Sequence, residues 1–90
     1  MKKRLEVEFI GNVQMVGFRY TAQYIARRYP VVGYAKNLSN GNVEVAVEGE
    51  ESVLKDFIND VRDSMARYID REQVAWMEPQ GQFKDFRIRG

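Results

Sequence analysis

The sequence contains no cysteine and no histidine among its 90 residues. The absence of cysteine excludes disulfide bonds, thiolate metal sites and cysteine nucleophiles. The absence of histidine removes the usual general base near neutral pH and the commonest metal ligand of proteins. Any catalysis by this chain therefore has to depend on positioning and electrostatics, with carboxylate, amide, guanidinium and backbone groups as its tools.

The chain also lacks an excess of charge, because 14 lysine and arginine residues face 13 aspartate and glutamate residues. The basic residues are scattered among acidic ones, which argues against a nucleic-acid or membrane partner. No apolar run approaches the length of a transmembrane helix. The basic start, residues 1–4, resembles that of a signal peptide, but Glu6 and Glu8 interrupt the apolar segment that such a peptide needs. We therefore expect a cytoplasmic protein.

Two periodicities in the apolar residues predict the secondary structure. Leu5, Val7 and Phe9 alternate with glutamates, and this pattern predicts a first strand that ends at Gly11-Asn12. Phe18, Ala22, Ile25, Ala26 and Tyr29 share one face of a helix predicted over 19–29, which Pro30 ends. A second helix is predicted to begin within 49–52, with Leu54, Phe57, Ile58, Val61 and Met65 on its apolar side. Further strands are predicted at 31–38, 43–49, 74–77 and 83–89, with Phe86 and Ile88 facing inward.

The order of these elements predicts one α+β domain over residues 1–90. Asn40-Gly41 between the second and third strands indicates a hairpin with a type I′ turn, which needs positive φ at both central positions. The order β-α-β-β-α-β is that of a ferredoxin-like sandwich, with two helices on one face of an antiparallel sheet. A short strand at the C-terminus completes it. We interpret Trp76 and the five tyrosines as core and sheet residues, and we expect a monomer.

The segment from Gly11 to Arg19 connects the first strand to the first helix. Backbone N–H groups at a helix N-terminus are unpaired and bind anions, phosphate especially. Arg19 stands in the first turn, where a cation opposes the helix dipole by roughly 0.3–1 kcal/mol at an exposed site. An ordinary solvated arginine on a connecting loop is the structural alternative. The unfavourable position of the charge favours a bound anion, to which the planar guanidinium can donate twice.

Asn37 is the second candidate, since it places an uncharged amide at the end of the second strand. The ends of both central strands can lie near the same loop. The structural alternative is an asparagine that satisfies the backbone of a turn, as we expect of Asn40 and Asn42.

Two motifs of the chain resemble those of the acylphosphatase family. The first, Gly-x-Val-Gln-Gly-Val-x-Phe-Arg, is matched by Gly11, Val13, Gln14, Val16, Phe18 and Arg19. The second is Gly-Trp/Tyr-Val/Ala-Arg/Lys-Asn followed by Asp/Asn-Gly-x-Val-Glu. It is matched by Gly33-Tyr34-Ala35-Lys36-Asn37 and by Asn40-Gly41-Asn42-Val43-Glu44. The spacing between the motifs fits, and the resemblance covers nearly the whole chain.

The resemblance implies an enzyme that hydrolyses acyl phosphates to a carboxylate and inorganic phosphate, without metal or cofactor. It implies that Arg19 binds the phosphate and that the side-chain amide of Asn37 holds the attacking water. The phosphate cradle it implies is the backbone of Val13, Gln14, Met15, Val16, Gly17, Phe18 and Arg19. The partners would be a small-molecule acyl phosphate and inorganic phosphate.

Met15 departs from the family pattern, which has glycine at this position. We expect Met15 to have a negative φ and to project away from the phosphate. A noncatalytic phosphate-binding or regulatory module that lost its activity through Met15 is the first alternative function. An RNA-binding domain shares the order of elements, but the predicted third strand lacks the aromatic residues such domains need. A structural interaction domain that uses Trp76 and the tyrosines is the remaining alternative.

Overall fold

The computed structural model of the chain describes residues 1–90, which form five strands and two helices in a single sandwich. Helices α1 (Phe18–Ala26) and α2 (Glu51–Ser64) follow the first and third strands. The strands are β1 (Lys2–Gly11), β2 (Val32–Asn37), β3 (Val43–Glu50), β4 (Ile69–Met77) and β5 (Phe86–Arg89). They form one sheet in the order β4-β1-β3-β2-β5. The predicted ferredoxin-like α+β fold with an additional C-terminal strand is therefore confirmed.

The core lies between the helices and one face of the sheet, as the apolar periodicities predict. In β1 and β3 the alternating residues are fully buried, and they are Leu5, Val7, Phe9, Val43, Val45 and Val47. The apolar sides of α1 and α2, with Met65 directly after α2, complete this core; the helix residues are Phe18, Ala22, Ile25, Ala26, Leu54, Phe57, Ile58 and Val61. Neither helix has the length and apolar character needed to span a membrane.

The first helix is shorter than predicted, since α1 ends at Ala26 rather than at Tyr29. The chain continues to turn beyond α1, but each N–H there donates to the carbonyl three residues earlier. The N–H groups of Arg28 and Tyr29 donate to the carbonyls of Ile25 and Ala26 at 3.0 and 3.2 Å. Such 3₁₀-type bonds commonly tighten the last turn of a helix. The apolar spacing that includes Tyr29 persists through this turn and does not reveal the change.

Strands β1 to β4 form the predicted antiparallel sheet, whereas the additional C-terminal strand β5 pairs with β2 in parallel. Strands β4 and β5 occupy opposite edges of the sheet, so the segment 78–85 crosses the face that the helices leave open. Phe83, predicted to begin the fifth strand, belongs to this crossing segment and packs its ring 5.7 Å from that of Tyr34. Phe86 packs against the core as predicted.

Strand β4 begins at Ile69, five residues before the predicted strand at 74–77. Its first half is polar, and an edge strand with a single partner can leave such residues in water. For the same reason the interpretation of Trp76 as a core residue is wrong, since 41% of it is exposed on β4. Tyr20 and Tyr24 are also exposed, on the outer side of α1.

The β2–β3 hairpin is confirmed, but its predicted type I′ turn is wrong. Gly41 has a φ of 92°, whereas Asn40 does not share a positive φ. The N–H of Gly41 donates to the carbonyl of Leu38 at 3.1 Å, and the N–H of Leu38 donates to the carbonyl of Asn42 at 2.8 Å. This is a three-residue loop in which glycine takes the left-handed position. Asn40 satisfies the turn as expected, since its side-chain oxygen accepts the N–H of Asn42 at 3.0 Å.

A buried ion pair holds the crossing segment on the open face of the sheet. Nη1 of Arg4 lies 3.0 Å from a carboxylate oxygen of Glu48, and both side chains are about 7% exposed. The same carboxylate accepts the backbone N–H groups of Gln80 and Gly81 at 2.9 and 3.0 Å. Burial raises the pKa of Glu48, but the two N–H groups and Arg4 outweigh burial and leave this pKa below its ordinary value. Charged Glu48 therefore stabilises the folded chain.

We expect Glu48→Gln to destabilise the fold by roughly 1.5–3 kcal/mol at pH 7, the usual value of hydrogen bonds to a charged group. Because the pKa of Glu48 is lowered on folding, its stabilising effect is present above the unfolded pKa and is lost as pH falls through the folded pKa. The difference between wild type and variant should therefore shrink towards pH 3. Urea unfolding of both proteins at pH 7 and pH 3 measures this difference in the free energy of unfolding. A difference that is independent of pH would contradict this role of the carboxylate.

Candidate active site

The loop between β1 and α1 is anchored in the core at both ends. Val13 is fully buried, and Phe18 packs its ring 5.0 Å from that of Phe9. Aromatic pairs at this distance contribute roughly 0.5–1.5 kcal/mol beyond the burial of their area. The residues between these anchors are held at the surface, where a ligand can reach their backbone.

The backbone N–H groups from Gln14 to Tyr20 donate to no oxygen of the protein. The first hydrogen bond of α1 joins the N–H of Thr21 to the carbonyl of Gly17 at 2.9 Å. No side chain caps the helix, and its first turn contains no acidic residue. Free N–H groups at the positive end of a helix dipole have the character of an anion site.

Two residues of the loop have positive φ. Gly17, which precedes α1, has a φ of 77°, and a Cβ at this position would meet nothing within 4 Å. Met15 has a φ of 64°, so the expected negative φ of Met15 is wrong. Its side chain is fully exposed. The loop thus keeps a backbone conformation that suits glycine, although methionine occupies the position.

Arg19 turns its guanidinium toward the end of β5. Its Nη1 donates to the backbone oxygens of Arg89 and Gly90, both at 3.1 Å. A guanidinium has five N–H donors, of which Nη1 carries two. The three donors on Nε and Nη2 form no bond to the protein, so they can meet an anion. The sequence gives no sign of this contact with residues 89 and 90, because it depends on the parallel pairing of β5 with β2.

Asn37 ends β2 and pairs across the sheet with Val43. It is half-buried, and its side-chain amide donates to no group of the protein. Gly90 lies beside it, since a Cβ at Gly90 would come within 3.1 Å of the carbonyl oxygen of Asn37. Because Arg19 binds the backbone oxygen of Gly90, the structure brings the two candidate side chains to the same end of the sheet.

Gln14 makes a contact that sequence reasoning missed. Its Nε2 donates to the carbonyl of Leu38 at 2.8 Å and to that of Asn42 at 3.0 Å. These carbonyls form the neck of the β2–β3 hairpin, directly after Asn37. The motif contains Gln14, but the distance between the two segments in the sequence gives no indication of the partner.

A separate cavity of about 540 Å³ lies at the opposite end of the sheet. Lys2, Val32, Glu50 and Pro79 are among the residues that line it. Lys2 and Val32 begin the strands β1 and β2, whereas the anchored loop follows the end of β1 and Asn37 ends β2. The cavity therefore does not belong to the candidate site.

Comparison with known proteins identifies the family. Residues 5–88 match the family profile described as Acylphosphatase. A chain named acylphosphatase from Caldanaerobacter subterraneus subsp. tengcongensis is 41% identical over 90 residues, which cover 98% of this chain and 99% of that one. Another, from Thermotoga maritima, is 35% identical over 88 residues, with 97% of each chain covered.

A solved structure agrees with these sequence matches. The crystal structure of acylphosphatase from Bacillus subtilis superimposes with a TM-score of 0.85 at 27% identity. The match covers 96% of this chain and 97% of that one. Sequence and structure thus lead to the same conclusion, which the two motifs already indicate: the chain belongs to the acylphosphatase family.

Proposed function

We propose that this chain hydrolyses the carboxyl–phosphate anhydride of acyl phosphates to a carboxylate and inorganic phosphate. One observation carries the proposal: the free N–H groups at the start of α1, the guanidinium of Arg19 and the amide of Asn37 lie at one end of the sheet. The relatives named acylphosphatase support the same activity.

The backbone of residues 13–19 and the side chain of Arg19 bind the phosphoryl group. The N–H groups receive its oxygens at the positive end of α1, and the free donors of Arg19 hold two oxygens at once. The backbone oxygens of Arg89 and Gly90 fix the guanidinium before the substrate arrives. A donor that is already oriented stabilises the developing charge without reorganisation in the transition state.

Asn37 positions the water that attacks phosphorus. Its uncharged amide can donate to the water or accept from it, and no group of the protein competes for that amide. As the new P–O bond forms, the bond from phosphorus to the acyl oxygen breaks, and the carboxylate leaves with the electron pair. Both protons of the water remain with the phosphate product.

The reaction suits a site without histidine. A carboxylate leaves readily without a strong general acid, and phosphoryl transfer mainly needs orientation and charge stabilisation. The side chains form no cluster of three or more acidic residues that could hold a metal ion. These features support hydrolysis without metal or cofactor.

Phosphate release from an aryl acyl phosphate, compared with an aryl phosphate monoester, tests the proposal. We expect turnover of the acyl phosphate only, and we expect EDTA to leave the rate unchanged. Inhibition by EDTA that added Mg²⁺ reverses would contradict the metal-independent mechanism. Phosphate binding without turnover would instead support a noncatalytic module.

We also infer that the chain acts as a monomer in the cytoplasm. Both helices already bury their apolar sides in the core of this chain, and a sequence without cysteine suits a reducing compartment. We further infer that the partner is a small-molecule substrate, with no nucleic acid or membrane involved. Light scattering at the concentration of the activity assay measures the oligomeric state.

Met15→Gly is expected to stabilise the fold and to raise turnover. A left-handed conformation costs an L-residue roughly 1–2 kcal/mol. Glycine removes this cost, but the greater entropy of its unfolded chain offsets about 0.4–1 kcal/mol of the gain in stability. The free energy of unfolding should therefore rise by about 0–1.5 kcal/mol. Urea unfolding and the rate of acyl phosphate hydrolysis measure the two effects.

Met15→Ala is the matched control, since it removes the side chain but retains the Cβ. If Met15→Ala gives the same gain as Met15→Gly, the side chain rather than the backbone is responsible. A wild type without activity that Met15→Gly restores would show that methionine abolished turnover. Destabilisation by Met15→Gly would contradict strain at this residue.

A further inference from the structure

The side chain of Gln14 is the only hydrogen-bonded link between the anchored loop and the β2–β3 hairpin. Both hydrogens of its Nε2 are used, one on the carbonyl of Leu38 at 2.8 Å and one on that of Asn42 at 3.0 Å. No other hydrogen bond of the protein joins residues 12–19 to residues 37–42. The side chain is half-buried between the two segments.

The two carbonyls that accept from this amide also take part in the backbone hydrogen bonds that close the hairpin. The carbonyl of Leu38 also accepts the N–H of Gly41, and the carbonyl of Asn42 also accepts the N–H of Leu38. The amide therefore binds a hairpin neck that is already held by its own backbone. Its position with respect to the sheet is fixed, because β2 and β3 pair up to Asn37 and Val43.

The other end of the link lies near the start of the proposed phosphate cradle. Gln14 stands between the buried anchor Val13 and the fully exposed Met15. The core holds the loop at Val13 and Phe18 and is packed in part by Val16, but Gln14 alone hydrogen-bonds the loop to the hairpin. The bond to Leu38 reaches the residue directly after Asn37. The separation of the cradle from the amide of Asn37 therefore depends on Gln14.

We propose that Gln14 is a positioning residue, whose side chain fixes the phosphate cradle at the distance from Asn37 that in-line attack by water requires. The inference rests on the proposed function of the cradle and of Asn37. In this proposal Gln14 acts through the two carbonyls, on which both hydrogens of its Nε2 are used. A misplacement of about 1 Å between reacting groups can reduce a rate by about 100-fold.

Gln14→Met tests the proposal, since methionine has a similar length but no donor. We expect kcat to fall by about 10–100-fold, the range that such a misplacement allows. The inhibition constant of inorganic phosphate should change by less than about 3-fold, because Arg19 and the N–H groups remain. The matched control is Gln23→Met, which removes a bond of 3.4 Å from a side-chain amide to the carbonyl of Phe86. The control should keep the kcat of the wild type.

A double-mutant cycle separates positioning from simple stabilisation. If Gln14 acts through the placement of Asn37, Gln14→Met should reduce kcat much less in an Asn37→Ala background than in the wild type. An equal reduction in both backgrounds would overturn the proposal, and so would a wild-type kcat in Gln14→Met. If Gln14→Met does not fold, Gln14→Asn is measured in the same way, because its shorter amide cannot span both carbonyls.

The same experiment identifies a failure of the proposed function. If Asn37→Ala alone keeps the full kcat, the assignment of the water to Asn37 is wrong, and the inference about Gln14 fails with it. If Asn37→Ala reduces kcat but Gln14→Met does not, only the inference about Gln14 fails.

Discussion

Arg19→Ala is expected to abolish turnover and to weaken the binding of inorganic phosphate. It removes the main countercharge of the site, and a single arginine in phosphoryl transfer contributes about 10³–10⁵ in rate. Arg19→Lys should recover little of the turnover or of the phosphate affinity. An ammonium group cannot bind the backbone oxygens of Arg89 and Gly90 and also hold two phosphate oxygens. Hydrolysis rates and phosphate inhibition constants of the three proteins test this expectation.

The stability of Arg19→Ala distinguishes a functional residue from a structural one. The variant loses two exposed hydrogen bonds, but it also loses a cation that opposes the dipole of α1. These effects oppose each other, so the free energy of unfolding should change by less than about 1 kcal/mol. Arg27→Ala is the matched control, because it removes an exposed arginine from the other end of α1. A variant at Arg19 that unfolds would mean that this arginine is structural.

Asn37→Ala should lower kcat by about 10²–10³, the usual loss when one oriented polar group leaves an active site. The affinity for inorganic phosphate should remain nearly unchanged, because the proposed partner of Asn37 is the water. Steady-state kinetics with phosphate as a competitive inhibitor separate the two quantities. A variant that keeps kcat and loses phosphate affinity would reverse the roles of Asn37 and the cradle.

Asn40→Ala is the matched control for Asn37→Ala. Both asparagines belong to the β2–β3 hairpin, but the side chain of Asn40 accepts the N–H of Asn42 and serves the turn. Its loss should cost about 0.5–1.5 kcal/mol of stability and leave kcat close to that of the wild type. Equal effects of both variants on kcat would show that the shape of the hairpin, rather than the amide of Asn37, controls the reaction.

The position of these side chains depends on pairings that no local pattern contains. Arg19 meets Arg89 and Gly90 only because β5 lies in parallel beside β2 at the edge of the sheet. Because β4 and β5 lie at opposite edges, their connection has to cross the sheet, and residues 78–85 do so while hydrogen-bonded to Glu48. The short apolar pattern of β5 indicates a strand but does not indicate which neighbour it pairs with, or in which direction.

The sequence by itself determined the core, the order of the elements and the family. Leu5, Val7 and Phe9 alternate with glutamates because one face of the strand is buried. This local periodicity can be recognised without knowing the partner strand. The two motifs place Arg19 and Asn37 on recognisable elements, a helix start and a strand end. The polar half of β4 escaped prediction because an edge strand needs no apolar alternation.

Only the tertiary structure decided the geometry of the candidate site. The contact of Gln14 with Leu38 and the orientation of Arg19 are each imposed by segments distant in the sequence. Val13 and Phe18 are held in the core, and the loop between them takes a left-handed conformation at Met15. Sequence patterns report which side of an element is buried, whereas distances across the site arise from packing between elements.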